Sequence, residues 1–168
     1  ELRPPEIGVI ASLGYSHASV YRKPIVCILS TGNELMEPGN VDEPGKIFDS
    51  NGASIAAAVL KHGGIPMQLG IAGDSFESVE SKLVDATQAD LVITSAGVSK
   101  GDYDVVKDVL AKHGTIDFGS VRMRPCKPLA FGILEFNVGK TVPLIGLPGN
   151  PVSALVAFEH FCRPAIRK

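Results

Sequence analysis

The chain has 168 residues, of which 45% are hydrophobic, and its formal net charge is −2. A chain of this length and composition can bury one substantial core without disulfides, which argues against a disordered protein. It has no Lys- or Arg-rich stripe, so nucleic acid is not expected as a partner. No apolar run approaches the roughly 18 residues of a membrane span, so no membrane association is expected.

The cysteines and histidines are scattered along the chain. Cys27, Cys126 and Cys162 form no CxxC pair, which favours reduced thiols in a cytoplasmic protein over a disulfide framework. His62 and His113 each precede a glycine at the end of a helical pattern. There they suit a helix C-terminus, where donors meet free carbonyls, better than a metal site.

The N-terminal part differs in pattern from the rest. Pro5–Leu13 predicts a helix, and an extended linker follows it. The chain begins at Glu1 without Met or a basic-then-apolar leader. We therefore expect residues 1–23 to be a lead-in from a preceding domain of a longer protein, and residues 24–168 to form one domain.

From Pro24 onward, short apolar runs alternate with amphipathic helical patterns. The segments Ile25–Leu29 and Leu91–Thr94, and the weaker Ile65–Ala72, predict buried strands. Apolar residues at helical spacing follow the strands, in three groups: Ile55, Ala58 and Val59; Val79, Leu83 and Ala86; and Val105, Val106, Val109 and Leu110. This order predicts a parallel sheet covered by helices on both faces.

The last third of the chain has a different pattern. Leu129–Phe136 and Thr141–Leu147, joined by a glycine-containing loop, predict a β-hairpin. A final helix follows Pro151, and the residues on its expected inner side are Leu155, Phe158, Cys162 and Ala165. The fold class predicted is therefore α/β, with a mostly parallel sheet plus a β-hairpin.

Three glycine-rich loops follow strands of the predicted sheet. They are Ser30–Glu34, Ser95–Asp104 and Leu147–Ser153. The carboxyl ends of parallel strands meet at one edge, and loops there present backbone N–H groups to anions at helix starts. We expect an anion-binding hollow between the Gly97 and Gly149 turns.

Acidic residues occupy the same loops, at Glu34, Asp49, Asp74, Asp102 and Asp104. Several carboxylates beside an anion pocket suit Mg²⁺. Helix capping is the alternative, because Asp74 and Glu77 have capping-box spacing. Asp102 would serve equally as an N-cap, with Asp104 in the first helical turn. Spacing alone leaves both interpretations open.

A basic segment precedes the predicted hairpin. Arg124 and Lys127 are each followed by a proline, whose fixed φ stiffens the segment. A stiff basic loop suits phosphate binding, because little freedom is lost when the ligand arrives; solvated surface charge is the alternative. No GxSxG elbow, phosphate-binding P-loop or nucleophile–base pair is present, which argues against covalent catalysis.

Five motifs together resemble the molybdopterin molybdotransferases, the MoeA- and gephyrin-type enzymes. In chain order they are STGNEL (Ser30–Leu35), DSN (Asp49–Asn51), GVSKGDYD (Gly97–Asp104), RPCKP (Arg124–Pro128) and LPGNPVS (Leu147–Ser153). The resemblance covers Ile25–Lys168, and Pro5–Gly14 resembles the lead-in helix of the family. It implies the three-layer α/β/α fold shared with the MogA, MoaB and CinA groups.

The resemblance also implies an activity and a site. Enzymes of this family insert molybdate into adenylylated molybdopterin and release AMP with Mg²⁺ present. The implied catalytic residues are Asp104, Asp74 and Glu34, and the implied metal ligands are Asp49, Asp102 and Asp104. The implied substrate-binding residues are Thr31, Gly32, Ser50, Gly97, Ser99, Gly101, Arg124, Lys127, Pro148, Gly149, Asn150 and Ser153.

The chain departs from the family pattern at four positions. Asn33 replaces an Asp, Arg124 replaces a Lys, and Ala96 and Cys126 each replace a Gly. The resemblance further implies a molybdopterin adenylyltransferase as protein partner and a homodimer in the full-length enzyme.

Three other functions remain open at this stage. A MogA-type adenylyltransferase and a CinA-like pyrophosphatase share the implied fold, although LPGNPVS followed directly by a helix favours the molybdotransferase. A non-catalytic, gephyrin-like scaffold is the third, but such a protein has no need of the acidic and basic loops that this chain retains.

Overall fold

The computed structural model describes residues 2–41, 43–95, 108–109, 112–135 and 139–168. The helices are α1 (Pro4–Ser12), α2 (Ser50–Lys61), α3 (Phe76–Leu83), α4 (Pro151–Ala157) and α5 (Arg163–Arg167), with a 3₁₀ turn at Val84–Gln88 and a π-helical turn at Phe158–Cys162. The strands are β1 (Ile25–Thr31), β2 (Leu35–Met36), β3 (Ile47–Phe48), β4 (Ile65–Ala72), β5 (Leu91–Ser95), β6 (Gly114–Ser120), β7 (Pro128–Glu135) and β8 (Thr141–Leu147). In the described part of the chain, no helix is long and apolar enough to cross a membrane.

Six of these strands form one sheet in the order β4-β1-β5-β8-β7-β6. The pairs β1–β4, β1–β5 and β5–β8 are parallel, whereas β7 pairs antiparallel with both β8 and β6. The short strands β2 and β3 form a separate parallel pair. The mostly parallel sheet and the hairpin predicted from the sequence are therefore confirmed.

Burial on both faces explains why the central strands are uniformly apolar. Along β1, Val26 and Ile28 pack into one core cluster, together with residues of α2, α4 and the π-helical turn. Cys27 and Leu29 pack into a second cluster on the opposite face, together with residues of α3. Alternate side chains of a strand point to opposite faces, so two apolar clusters enclose the sheet. The result is the three-layer α/β/α arrangement.

Two elements were not predicted. β6 lies at the edge of the sheet, and its pattern is weak because most of its residues are exposed or half-buried. The pair β2–β3 has two residues in each strand, too few for any periodicity to show. Of the third predicted helix, Val105, Val106 and Leu110 lie outside the described residues, and Val109 is buried within a helical stretch.

The predicted inner side of the last helix was partly wrong. Phe158 and Cys162 are buried as expected, but Leu155 is 38% exposed and Ala165 is also exposed. The buried residues are instead Ala154, Phe158, Cys162 and Ile166, with Ala157 beside them. The four-residue spacing follows from the π-helical turn at Phe158–Cys162, because a π turn contains more residues than an α turn and shifts the phase of the stripe.

The histidines lie where the sequence placed them, but they have different partners. His62 is the C-cap of α2, and its Nε2 lies 3.1 Å from Glu159 Oε1. His113 ends a helical stretch, and its Nε2 lies 2.6 Å from Glu80 Oε1. Each imidazole therefore binds a carboxylate on a neighbouring helical segment rather than free carbonyls at its own helix end.

Candidate functional site

The loops that follow the parallel strands begin at one level of the sheet. Ser30 at the end of β1 is in register with Ser95 at the end of β5, and Ser95 is in register with Leu147 at the end of β8. The three glycine-rich loops predicted to bind an anion therefore leave the same edge, which we call the carboxyl edge.

The basic segment reaches this edge as well. β7 runs antiparallel to β8, so its first residues pair near the last residues of β8, as Ala130 does with Gly146. Ser120 at the end of β6 pairs with Pro128 at the start of β7. The loop that joins them, which carries Arg124 and Lys127, consequently lies at the carboxyl edge.

The N-terminus of α2 closes the edge on one face of the sheet. Asp49 is its N-cap, and Asp49 Oδ1 accepts the Gly52 N–H at 2.9 Å. A Cβ atom on Gly52 would lie 2.5 Å from Asp49 Oδ2 and 3.4 Å from Ser30 Oγ. Glycine at this position allows the capping carboxylate to approach the helix this closely, while Ser30 Oγ lies at ordinary contact distance.

Asn51 connects this helix to the turn after β8. Its Nδ2 donates to the Gly149 carbonyl at 2.8 Å. The DSN and LPGNPVS motifs, 98 residues apart in sequence, are thereby in direct contact. Asn51 was not among the predicted site residues, although its place in the DSN motif was a usable signal.

Four buried polar atoms at this edge have no hydrogen-bond partner among the described residues. They are Ser30 Oγ, Thr31 Oγ1, Asn51 Oδ1 and Ser95 Oγ. Leaving a buried polar group unpaired costs about 1–3 kcal/mol, so such atoms are rare where packing alone decides the residue. Their concentration at the ends of β1 and β5 and the start of α2 marks a polar site.

Two acidic candidates, Asp74 and Glu34, lie at the end of the carboxyl edge that is next to the outermost strand, β4. The Asn33 N–H donates to Asp74 Oδ2 at 3.0 Å, and the Asp74 N–H donates to Asn33 Oδ1 at 3.1 Å. This reciprocal pair joins the loop after β1 to the loop after β4. The Glu34 carboxylate folds back over Gly32, whose φ is +145°, so a Cβ at Gly32 would lie 2.5 Å from Glu34 Oε2.

The capping-box interpretation of Asp74 was wrong. The N-cap of α3 is Ser75, whose side chain accepts the Ser78 N–H. The Asp74 carboxylate is instead bonded to Asn33, which leaves it at the rim of the site rather than over the helix end.

The other predicted residues fall into two groups. Asn150 caps α4 by accepting the Ser153 N–H at 3.1 Å, Pro148 is buried beneath the Gly149 turn, and Ser50 is exposed at the start of α2. Gly97, Ser99, Gly101, Asp102 and Asp104 lie outside the described residues, as does Ala96. The predicted hollow between the Gly97 and Gly149 turns therefore also lies partly outside them.

The thiols are not suited to nucleophilic chemistry. Burial raises the pKa of Cys27 to about 12, and it also raises the pKa values of Cys126 and Cys162. A thiol whose pKa is raised is protonated at neutral pH and a poor nucleophile. All three cysteines are free and buried in the structure.

Two surface pockets differ in their relation to this edge. One of about 360 Å³ lies at the basic loop and is lined in part by Arg124 and Lys127. A larger one of about 620 Å³ lies at the opposite edge, where β1 begins and α2 ends, and is lined by residues that include Lys23, Lys61 and Arg167. The larger pocket contains no predicted site residue.

Comparisons with known proteins identify the family to which this fold belongs. The family model described as "Probable molybdopterin binding domain" matches residues 27–168. The molybdopterin molybdenumtransferase of a Nostoc strain is 41% identical over 170 residues, covering 100% of this chain and 38% of the relative. That of Haemophilus influenzae is 41% identical over 169 residues, covering 100% of this chain and 41% of the relative. The chain thus spans about two fifths of the length of these relatives.

A solved structure gives the same result in three dimensions. The molybdopterin biosynthesis MoeA protein from Pyrococcus horikosii superposes with a TM-score of 0.84 at 31% sequence identity, covering 99% of this chain and 40% of that one. The resemblance that the five motifs indicated is therefore confirmed. By its fold, its motifs and its relatives, the chain belongs to the molybdopterin-binding domain family of molybdenum cofactor biosynthesis.

Proposed function

We propose that this chain is the pterin-binding part of a molybdopterin molybdotransferase, which inserts molybdate into adenylylated molybdopterin and releases AMP. The names of the relatives at 41% identity support the reaction class. The observation that carries the proposal is a set of four buried polar atoms that have no partner among the described residues, at the same carboxyl edge as a cationic loop. Such an edge suits a ligand that has both phosphate groups and a polar ring system.

The phosphates of the substrate would bind Arg124 and Lys127. Both side chains line the pocket of about 360 Å³ at the basic loop, and cations neutralise the charge that develops on a departing phosphate. The rest of the ligand would be oriented by side-chain hydroxyls and by backbone groups of the turns. The hydroxyls are those of Thr31, Ser50, Ser99 and Ser153, and the backbone groups belong to Gly32, Gly97, Gly101, Pro148, Gly149 and Asn150. Ser30, Ser95 and Asn51 join this set because their unpaired atoms lie at the same edge.

The carboxylates would act on the reacting groups. Asp104 is the proposed principal acidic residue, with Asp74 and Glu34 assisting it from the outer end of the edge. The Asn33 N–H fixes one oxygen of Asp74 and leaves the other available to orient a water or the leaving group. Orientation of this kind lowers the barrier without a covalent intermediate.

The donor chemistry of this edge fits Mg²⁺. Its side chains offer oxygen atoms, and Asp49 has one carboxylate oxygen beyond the one that caps α2. Asp49, Asp102 and Asp104 would hold the ion, and when bound it would neutralise charge on the phosphate oxygens. Among the residues that the structure describes, no group of three or more His, Cys, Asp or Glu forms a metal site, so Asp102 and Asp104 are needed to complete it.

We extend the proposal to the longer protein of which this domain would be a part. Residues 1–23 would be the lead-in from a preceding domain, which is supported by the absence of buried residues in α1 and by the family match that begins at residue 27. The full-length protein would be a cytoplasmic homodimer that receives its substrate from a molybdopterin adenylyltransferase.

The proposal is tested by titrating the chain with adenylylated molybdopterin in the presence of molybdate and Mg²⁺, and measuring AMP release. We expect the Asp104→Asn variant to release AMP at least tenfold more slowly than the unmodified chain, because one positioned carboxylate is lost. Asp117→Asn, an exposed change on β6, is the matched control and should behave as the unmodified chain. Equal AMP release by all three proteins would contradict the role of Asp104.

A second assay distinguishes a molybdotransferase from a molybdopterin adenylyltransferase. The chain is incubated with molybdopterin, ATP and Mg²⁺, and ATP consumption is followed. A molybdotransferase consumes no ATP in this assay, whereas rapid adenylylation of molybdopterin would establish an adenylyltransferase instead.

A further inference from the structure

The loop between β6 and β7 contains one buried and two partly buried residues, separated by exposed residues. Val121, Met123 and Cys126 pack against the core cluster that contains α2 and α4. The residues between and after them, Arg122, Arg124 and Lys127, are exposed. Three apolar contacts therefore turn three cationic side chains toward solvent at the carboxyl edge.

Backbone contacts fix the shape of this loop. The Val121 N–H donates to the Lys127 carbonyl at 2.8 Å and closes the loop at its base. Cys126 Sγ donates to the Ser153 carbonyl at 2.9 Å and fastens the loop to the start of α4. Because the loop is fixed at both points, the backbone that carries the three cations is ordered before any ligand arrives, which lowers the entropic cost of binding.

The three cations share one pocket. Arg122, Arg124 and Lys127 line the pocket of about 360 Å³ together with Ser120, Val121 and Met123. None of the six lining residues is acidic, and none of the three cations has an ion pair with any described residue. Like charges in one pocket repel each other, so a bound anion would relieve an existing repulsion.

We propose that Arg122 is a third oxyanion ligand in this pocket, equal in role to Arg124 and Lys127. The ligand class is a tetrahedral oxyanion with two or more negative charges, because a guanidinium fork binds such an ion through two parallel N–H bonds. Phosphate and molybdate share this chemistry. The inference rests on the proposed function only for the identity of the natural anion. Binding of an oxyanion by this pocket can be measured without that function.

The test is a titration of the full chain with inorganic phosphate and, separately, with molybdate, followed through backbone amide NMR shifts. Arg122→Gln should raise the Kd by about tenfold, the loss expected for one charge-assisted contact. Arg122→Lys should recover part of the affinity because it retains the charge but not the fork. Arg167→Gln, an exposed change at the opposite edge, is the matched control and should bind as the unmodified chain does.

The two titrations identify the anion. If Arg122→Gln weakens the binding of molybdate alone, the pocket is assigned to molybdate, and if it weakens the binding of phosphate alone, the pocket is assigned to phosphate. Weaker binding of both ions assigns the pocket to either oxyanion. The inference is overturned if Arg122→Gln binds both ions as tightly as the unmodified chain, or if the unmodified chain binds neither at millimolar concentrations. The unfolding midpoint of every variant is measured beside the titration, and it should not change.

The outcome is separable from that of the proposed function. If Arg122→Gln weakens oxyanion binding but AMP release does not depend on Asp104, the role of Arg122 is supported and the molybdotransferase proposal is rejected. If AMP release depends on Asp104 while Arg122→Gln binds both oxyanions normally, the molybdotransferase proposal is supported and the role of Arg122 is rejected.

Discussion

Polar groups are arranged differently at the two edges of the sheet. Where the strands begin, both oxygens of Asp90 bind the Arg22 guanidinium at 2.6 Å, and Oδ2 also accepts the Ile25 N–H at 2.8 Å. Where the strands end, Ser30, Thr31, Asn51 and Ser95 each leave a buried atom unpaired by any described residue. Paired polar groups stabilise a fold, whereas unpaired buried ones cost stability unless a ligand completes them.

This difference assigns a separate task to each edge. The pairs at the start of the strands hold the linker of residues 21–24 against the sheet. At the carboxyl edge, the polar atoms and loop cations that have no partner in the described part of the chain are available to a ligand. Substitutions of the paired groups at the first edge should therefore lower stability without changing binding. Substitutions of the unpaired hydroxyls and of the loop cations at the carboxyl edge should weaken binding with little change in stability.

The largest effect on stability is expected at Asp90. Asp90→Asn should lower the free energy of unfolding by about 1–2 kcal/mol at neutral pH, because a charge-assisted pair that solvent partly screens is lost. Urea denaturation measures the change, with Asp117→Asn as the control. Ligand binding should not change.

The pH dependence of this contribution follows from the same pair. The hydrogen bonds and charge of Arg22 hold the pKa of Asp90 below its ordinary value of 3.8. A lowered carboxyl pKa stabilises the folded state above the unfolded pKa, and this stability is lost as the pH falls through the folded pKa. The difference between the unmodified chain and Asp90→Asn should therefore vanish in strong acid; a difference that persists there would contradict the assignment.

Backbone strain at Cys126 gives the next largest effect. Its φ is +90°, a left-handed conformation that costs a residue with a Cβ about 1 kcal/mol relative to glycine. Cys126→Gly should therefore be more stable than Cys126→Ala by about 1 kcal/mol, although both lose the bond to Ser153. Thermal unfolding of the two variants side by side measures the difference, and equal midpoints would show that the loop is not strained.

The reciprocal pair at the outer end of the carboxyl edge is exposed, and its expected effect is smaller. Asn33→Ala removes the acceptor for the Asp74 N–H and should cost about 0.5–1 kcal/mol. Asn40→Ala, in a nearby exposed turn, is the matched control. Because Asp74 is proposed to orient a reacting group, Asn33→Ala should also lower the rate of AMP release more than it changes KM.

The smallest effect on stability should come from the unpaired hydroxyls. Ser30→Ala and Ser95→Ala remove buried atoms that bond no described residue, so each should change the free energy of unfolding by less than about 1 kcal/mol. Ser78→Ala is the contrast, because Ser78 Oγ accepts the Gly73 N–H at 2.9 Å and its loss should destabilise. If Ser30→Ala destabilises as much as Ser78→Ala does, the hydroxyl is structural and not part of a binding site.

The parts of the fold that the sequence predicted are those with strong local patterns. β1 and β5 are buried on both faces, so their apolar runs were unambiguous. The edge strand β6 and the pair β2–β3 lack such a pattern because they are short or largely exposed. The inner face of the last helix was misjudged because a π turn changes the period, and spacing in the sequence gives no sign of it.

The site was predictable to a similar degree. The parallel order of the strands predicted that three glycine-rich loops leave one edge, and strand register shows that Ser30, Ser95 and Leu147 lie at one level there. The basic segment reaches the same edge. The partners of individual side chains were not predictable, because Asn33 with Asp74 and Asn51 with Gly149 join residues distant in sequence. Arg122 was overlooked for a different reason, since the packing of its neighbours Val121 and Met123 against the core, which leaves it exposed beside Arg124, is visible only in the structure.

The assignment of binding to one edge of the sheet can be tested in a single experiment. The amide NMR spectrum of the chain is followed during titration with adenylylated molybdopterin and Mg²⁺. The shifts are expected to concentrate at residues 30–34, 51–52, 122–127 and 148–150. Shifts confined to the other edge, around Arg22, Lys61 and Asp90, would contradict the account.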